Sequence, residues 1–92
     1  MGLVRGTVLP GSYEVLDPIG AGGIATVYSA RDAEGRPVAI KQLKAEYAND
    51  PDAVKRFVRE AYTANAISHP GAVTTLGHHE GEQPFIVMEL LD

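Results

Sequence analysis

The feature that most constrains this 92-residue chain is a glycine cluster, Gly20-Ala21-Gly22-Gly23, placed between two segments that favour β-strands. Tyr13-Glu14-Val15-Leu16 precedes the cluster and Thr26-Val27-Tyr28 follows it, and both contain aromatic and branched side chains typical of strands. Because glycine has no Cβ, a glycine turn lets backbone N–H groups come close to phosphate oxygens. We therefore predict a hairpin of two strands whose glycine-rich tip can cover a phosphorylated ligand.

Two other glycine-containing phosphate sites do not fit the sequence. A Walker-type loop ends in Gly-Lys-Ser or Gly-Lys-Thr, and the chain has neither tripeptide. A dinucleotide-binding fingerprint needs a helix that begins within the glycines, whereas Thr26-Val27-Tyr28 favours a strand. The pattern that remains is a flap over a nucleotide, formed by a hairpin.

A lysine-bearing strand follows the predicted hairpin. In Val38-Ala39-Ile40-Lys41, alternation along a strand places Ala39 and Lys41 on one face of the sheet and Val38 and Ile40 on the other. The small side chain of Ala39 leaves room for a flat ring, and the longer side chain of Lys41 can reach a phosphate. The strand therefore predicts a nucleotide face.

A helix is predicted from Pro51 to about Ser68, with Asp50 as its N-cap. Helical spacing places Glu60 inside an apolar stripe formed by Val54, Phe57, Val58, Ala61, Ala64 and Ile67. A carboxylate that faces a core is costly unless it is paired, and Lys41 is the natural partner. The alternative is a structural salt bridge at the edge of the stripe.

These motifs, in this order, resemble those of bacterial serine/threonine protein kinases over nearly the whole chain. Gly20-x-Gly22-x-x-Ala25-x-Val27 resembles the glycine-rich loop, with alanine in place of the third glycine, and Val38-Ala39-Ile40-Lys41 matches the ATP-lysine strand. Glu60 resembles the glutamate of helix C. His69-Pro70 resembles the turn before the fourth strand, and residues 85–92 resemble the fifth strand and the hinge.

The resemblance implies an α+β fold, the kinase N-terminal lobe, in which a five-stranded antiparallel sheet carries one main helix. The lobe would occupy residues 13–92 and end at the hinge, after a leader at residues 1–12 with irregular structure, and the C-terminal lobe would be absent. We predict its strands, in chain order, at Tyr13–Ile19, Ala25–Arg31, Pro37–Leu43, Ala72–Gly77 and Phe85–Glu89.

The resemblance also implies a set of site residues. Lys41 would contact the α- and β-phosphates of ATP, and Glu60 would hold the lysine in place. Met88 occupies the gatekeeper position, and the hinge residues Glu89 and Leu91 would bond the adenine edge. The other nucleotide-binding positions are Ile19, Gly20, Ala21, Gly22, Gly23, Ile24, Ala25, Thr26, Val27 and Ala39.

Composition excludes several other classes of protein. A formal net charge of −4 gives no support for nucleic-acid binding, and the absence of cysteine excludes disulfides and thiolate metal sites. No apolar run approaches the roughly 18 residues of a membrane span. The three histidines lack convincing metal spacing, so we expect no metal site within the chain. We expect a cytoplasmic domain, whose parent could be anchored by a segment outside this chain.

The implied reaction is transfer of the ATP γ-phosphate to serine or threonine of a protein substrate, with Mg²⁺ as the metal. The chain holds no His-Arg-Asp or Asp-Phe-Gly motif, so the base, the Mg²⁺ ligands and the substrate contacts would lie in the C-terminal lobe. We expect the 92 residues alone to be inactive. Two alternatives remain, an interaction module that forms homo-oligomers through its lobe surfaces and a regulatory pseudokinase-type lobe.

Overall fold

The computed structural model describes residues 3–66 and 74–90, with side chains for residues 3–62 and 74–90. This part of the chain forms one antiparallel sheet and two helices. In chain order the elements are β1 (Val8–Leu9), β2 (Tyr13–Gly22), β3 (Ala25–Arg31), β4 (Pro37–Leu43), α1 (Ala45–Ala48), α2 (Pro51–Ala66), β5 (Thr75–His79) and β6 (Phe85–Glu89).

The glycine-rich hairpin is present as predicted. Strands β2 and β3 pair in antiparallel fashion up to Gly22 and Ala25, so the turn consists of Gly23 and Ile24 alone. Gly23 has a φ of 55°, and a positive φ at the first central residue is what a tight type II′ hairpin turn requires. Strand β2 extends three residues beyond the predicted end at Ile19, because the glycines continue the ladder to the tip.

The sheet has six strands in the order β1-β2-β3-β4-β6-β5, one more than predicted. The additional strand β1 lies in the leader, which we had predicted to be irregular. Gly11 and Ser12 have φ values of 92° and 68°, and this turn folds the leader back along β2. The N–H of Gly6 donates to the carbonyl of Val15, and the N–H of Val15 donates to the carbonyl of Thr7. The leader is therefore part of the sheet.

Alternation along β4 divides the core between two faces of the sheet. The face of Val38 and Ile40, called the back face below, carries a buried cluster against which Leu3, Leu9 and Tyr13 of the N-terminal segment pack. The opposite face, called the front face, carries Ala39, Lys41 and Leu43. Its buried cluster is formed with α2 and consists of Ala25, Leu43, Phe57 and Ile86.

The main helix α2 begins where the sequence predicts. Asp50 Oδ1 accepts hydrogen bonds from the backbone N–H of Asp52 at 3.0 Å and from that of Ala53 at 3.4 Å, which is N-cap geometry. Its predicted end at Ser68 lies outside the described residues, and so do His69 and Pro70. The short helix α1 was not predicted, because four residues are too few to show a helical period.

Candidate phosphate-binding site

The glycine-rich hairpin and the lysine strand lie side by side in the sheet. Strand register places Gly20 opposite Val27, Val27 opposite Lys41, and Lys41 opposite Ile86. Directly paired residues of an antiparallel sheet project to the same face, so Lys41 shares the front face with Val27. Ile40 lies in the back-face cluster and Leu43 in the front-face cluster, so the side chains of β4 alternate between the two faces. This alternation confirms the prediction that Ala39 and Lys41 share one face.

Lys41 is half-buried and carries its charge toward the helix. Its Nζ lies 6.0 Å from the centroid of the Phe57 ring, at the outer limit of a cation–π contact. Within the part of the chain that the structure describes, no carboxylate forms an ion pair with Lys41. An ammonium with no anionic partner can bind an incoming anion.

The expectation that Glu60 faces the core is wrong. The residue is exposed, and it forms no ion pair with Lys41 in the described residues. Among the side chains of α2 that the structure describes, those that pack in the front-face cluster are Val54, Phe57, Val58 and Ala61. At the pitch of an α-helix their centre lies about 110° around the axis from Glu60. The helix is thus oriented with Phe57, one turn earlier, in the place beside Lys41 where the carboxylate was expected.

Three of the predicted adenine residues, Val27, Ala39 and Met88, lie on the front face. Met88 lies directly opposite Ala39 across β4 and β6. Ala39 is buried, Val27 and Met88 are half-buried, and Ile19 is exposed. Val27 and Met88 thus leave part of their apolar side chains accessible on the face that carries Lys41. Of the hinge residues, Glu89 ends β6, and Leu91 lies outside the described residues.

The remaining flap positions follow the hairpin. Gly20, Ala21 and Gly22 end β2, Gly23 and Ile24 form the turn, and Ala25 and Thr26 begin β3. A Cβ added at Gly20, Gly22 or Gly23 would meet no heavy atom within 4 Å. The glycines are therefore not required by packing within the chain. They leave backbone open on the tip, which is what a close approach of phosphate needs.

Sequence reasoning missed one contact at the flap. Lys44 Nζ donates a hydrogen bond to the carbonyl of Gly23 at 3.1 Å, and the backbone N–H of Lys44 donates to the carbonyl of Ile24 at 2.8 Å. The sequence feature that could have indicated this contact is the second lysine, Lys44, three positions after Lys41.

A polar hollow of about 390 Å³ lies behind the flap, on the back face and against α1. Its walls include Thr26, Tyr28, Gln42 and Lys44. Among the described residues, no group of three or more His, Cys, Asp or Glu side chains has the arrangement of a metal site. Neither described helix has the length and apolar character needed to cross a membrane.

The family model described as "Protein tyrosine and serine/threonine kinase" matches residues 13–92. The chain is 43% identical over 93 residues to the serine/threonine-protein kinase PrkC of Bacillus subtilis, covering 98% of the chain and 14% of PrkC. It is 36% identical over 94 residues to the serine/threonine-protein kinase PknA of Mycobacterium tuberculosis, covering 95% of the chain and 22% of PknA. The chain thus spans only a small part of these relatives.

Solved structures agree with the sequence comparisons. The crystal structure of the Mycobacterium tuberculosis PknI kinase domain, as a C20A_R136A double mutant, matches with a TM-score of 0.77 and 29% identity. That match covers 100% of this chain and 37% of the PknI chain. The apo form of PpkA-294 matches with a TM-score of 0.77 at 23% identity, a likeness of fold alone.

Proposed function

Because the chain belongs to the protein kinase family, we propose that it is the ATP-binding N-terminal lobe of an enzyme that phosphorylates serine or threonine of proteins. The six-stranded sheet with its helix is the N-terminal part of a kinase domain, as the structural matches support.

The observation that carries the proposal is the environment of Lys41. The residue is half-buried on the front face, lies in register with Gly20 of the flap through Val27, and has no carboxylate partner in the described residues. A strand lysine beneath a glycine-rich hairpin can bind the α- and β-phosphates while backbone N–H groups of the tip approach from above. Lys41 can bind phosphate in this way without a carboxylate partner in the free chain.

The adenine ring would lie on the front face against Val27, Ala39 and Met88, with Ile19 at its margin. Val27 and Met88 are half-buried and Ile19 is exposed, which supports this, because a ring stacked there would remove apolar surface from water. Glu89 and Leu91 would bond the edge of the ring through backbone groups.

Glu60 would act only after α2 has turned. We propose that rotation of the helix replaces Phe57 with Glu60 beside Lys41, which would then hold the lysine toward the phosphates. Exposure of Glu60 in this structure and its place three residues after Phe57 support the proposal. Mg²⁺ would neutralise phosphate charge during transfer, and the sequence of the chain offers none of the family's Mg²⁺-binding motifs.

The sequence also contains no motif that supplies a catalytic base, so we expect the 92-residue chain to bind ATP without transferring phosphate. From the interaction-module alternative we retain self-association: we propose that copies of the chain associate through exposed surfaces of the lobe. We also propose that the domain works in the cytoplasm, where Mg-ATP is available.

Calorimetric titration of the chain with Mg-ATP tests the proposal. We expect saturable binding with a Kd on the order of millimolar, lost in Lys41→Met, because half a nucleotide site gives a small part of full affinity. Lys55→Met, which removes an exposed lysine of α2, serves as the matched control and should bind as the parent does. Equal binding by the Lys41→Met variant, or no binding by the unmutated chain, would contradict the assignment.

A further inference from the structure

The tip of the flap contains one peptide group whose direction matters for phosphate binding. Gly22 pairs with Ala25, so the peptide between Gly23 and Ile24 is the central peptide of the turn. Its carbonyl belongs to Gly23 and its N–H to Ile24. Gly23 has no Cβ to restrict rotation, so the turn alone holds this peptide weakly.

Lys44 fixes the orientation of that peptide. Its Nζ donates to the Gly23 carbonyl at 3.1 Å, while its own N–H holds the Ile24 carbonyl at 2.8 Å. Lys44 lines the hollow behind the flap together with Thr26, Tyr28 and Gln42. Tyr28 packs in the back-face cluster, and Gln42 alternates with Lys41 along β4. The side chain of Lys44 therefore approaches the flap from the back face.

The described peptides are trans, so the carbonyl and the N–H of the central peptide point in opposite directions. A Gly23 carbonyl held toward the back face leaves the Ile24 N–H directed toward the front face, where Lys41 lies. We infer that Lys44 is a positioning residue that presets the Ile24 N–H as a phosphate donor. This inference rests on the proposed function, because it assigns the donor a role in binding ATP phosphates.

The electrostatic consequence depends on which way the peptide faces. With Lys44 in place, the phosphates meet the positive end of the Gly23–Ile24 dipole. Without it, the peptide can rotate and present the Gly23 carbonyl oxygen, which repels phosphate. Lys44 does not touch the nucleotide in this arrangement, and its effect is confined to ligands that carry phosphates.

Two-dimensional NMR of the ¹⁵N-labelled chain, with titrations of ATP and of adenosine, tests the inference. For Lys44→Met we expect a shifted Ile24 amide resonance, ATP binding weakened roughly fivefold, and adenosine binding unchanged, since only a preset phosphate donor is lost. Lys44→Arg keeps a cationic donor and should restore ATP binding to within about twofold. Unchanged amide dispersion elsewhere verifies that the variants remain folded.

The outcomes separate this inference from the proposed function. If the unmutated chain binds ATP, Lys41→Met abolishes binding, and Lys44→Met binds ATP as the parent does, the role of Lys44 is refuted while the nucleotide site stands. Equal weakening toward ATP and adenosine would also refute it, since that result indicates a general structural role. If the unmutated chain does not bind ATP, the proposed function fails, and the inference fails with it.

Discussion

At the scale of single residues, Asp32 organises the turn between β3 and β4. Its Oδ1 accepts hydrogen bonds from the backbone N–H groups of Arg36 at 2.8 Å and Glu34 at 3.0 Å, and its Oδ2 accepts one from Arg36 Nε at 2.8 Å. Gly35 has a φ of 80°, as its predicted left-handed position requires. The backbone hydrogen bond from Arg36, followed by the side-chain hydrogen bond from Arg36, lowers the pKa of Asp32 below its usual 3.8.

This pKa shift predicts how stability depends on pH. A carboxyl with a lower pKa in the folded state stabilises the fold above its unfolded pKa, and the stabilisation is lost as pH falls through the folded pKa. Asp32→Asn should therefore be less stable than the parent at pH 7, and its disadvantage should shrink as pH falls below about 3.8. Urea unfolding between pH 7 and pH 2 measures this, with exposed Glu14→Gln as the control. A pH-independent difference between Asp32→Asn and the parent would refute the assignment.

At the scale of elements, the described side chains of α2 that pack in the core are Val54, Phe57, Val58 and Ala61, which lie on one side of the helix. Phe57 is 3% exposed and lies in the front-face cluster, whereas Glu60 projects into solvent. Thr75 of β5 donates a hydrogen bond from its Oγ1 to the carbonyl of Ala61 at 3.0 Å, which ties the helix to the edge of the sheet. The proposed engagement of Glu60 would have to move Phe57 out of this buried position.

The contrast between two positions of α2 can be measured. We expect Phe57→Ala to lower the free energy of unfolding by about 3–5 kcal/mol, because it empties a buried site. Glu60→Gln should change it by less than about 0.5 kcal/mol, because the side chain is exposed. Chemical denaturation measures both, and Phe57→Leu, which keeps most of the volume, replaces Phe57→Ala if that variant does not fold. A large loss in Glu60→Gln would show that the carboxylate is already paired.

At the scale of the whole molecule, the sheet leaves apolar side chains in water at both of its edges. Leu76 on β5 is 56% exposed, and Val8 on β1 is 65% exposed. Strands β5 and β1 are the two edges of the sheet, and edge strands with apolar side chains favour pairing with another chain. This geometry supports the proposed association of copies.

Sedimentation velocity over a range of concentrations measures that association. We expect the sedimentation coefficient to rise with concentration, and Leu76→Lys to reduce the rise, because a charge on edge strand β5 opposes strand pairing. Val4→Lys adds the same charge near the opposite edge, so the two variants compare the edges. A single monomeric species at high concentration would contradict the proposal, and no effect of Leu76→Lys would remove β5 as the contact.

The sequence alone determined the hairpin, the lysine strand and the start of α2, because glycine freedom, strand alternation and N-capping act between residues close in the chain. It also identified the family. Only the tertiary structure decided that the leader joins the sheet, that Phe57 rather than Glu60 lies beside Lys41, and that Lys44 holds Gly23. These contacts depend on how the helix is rotated and how the chain returns to the sheet, which packing between distant residues fixes.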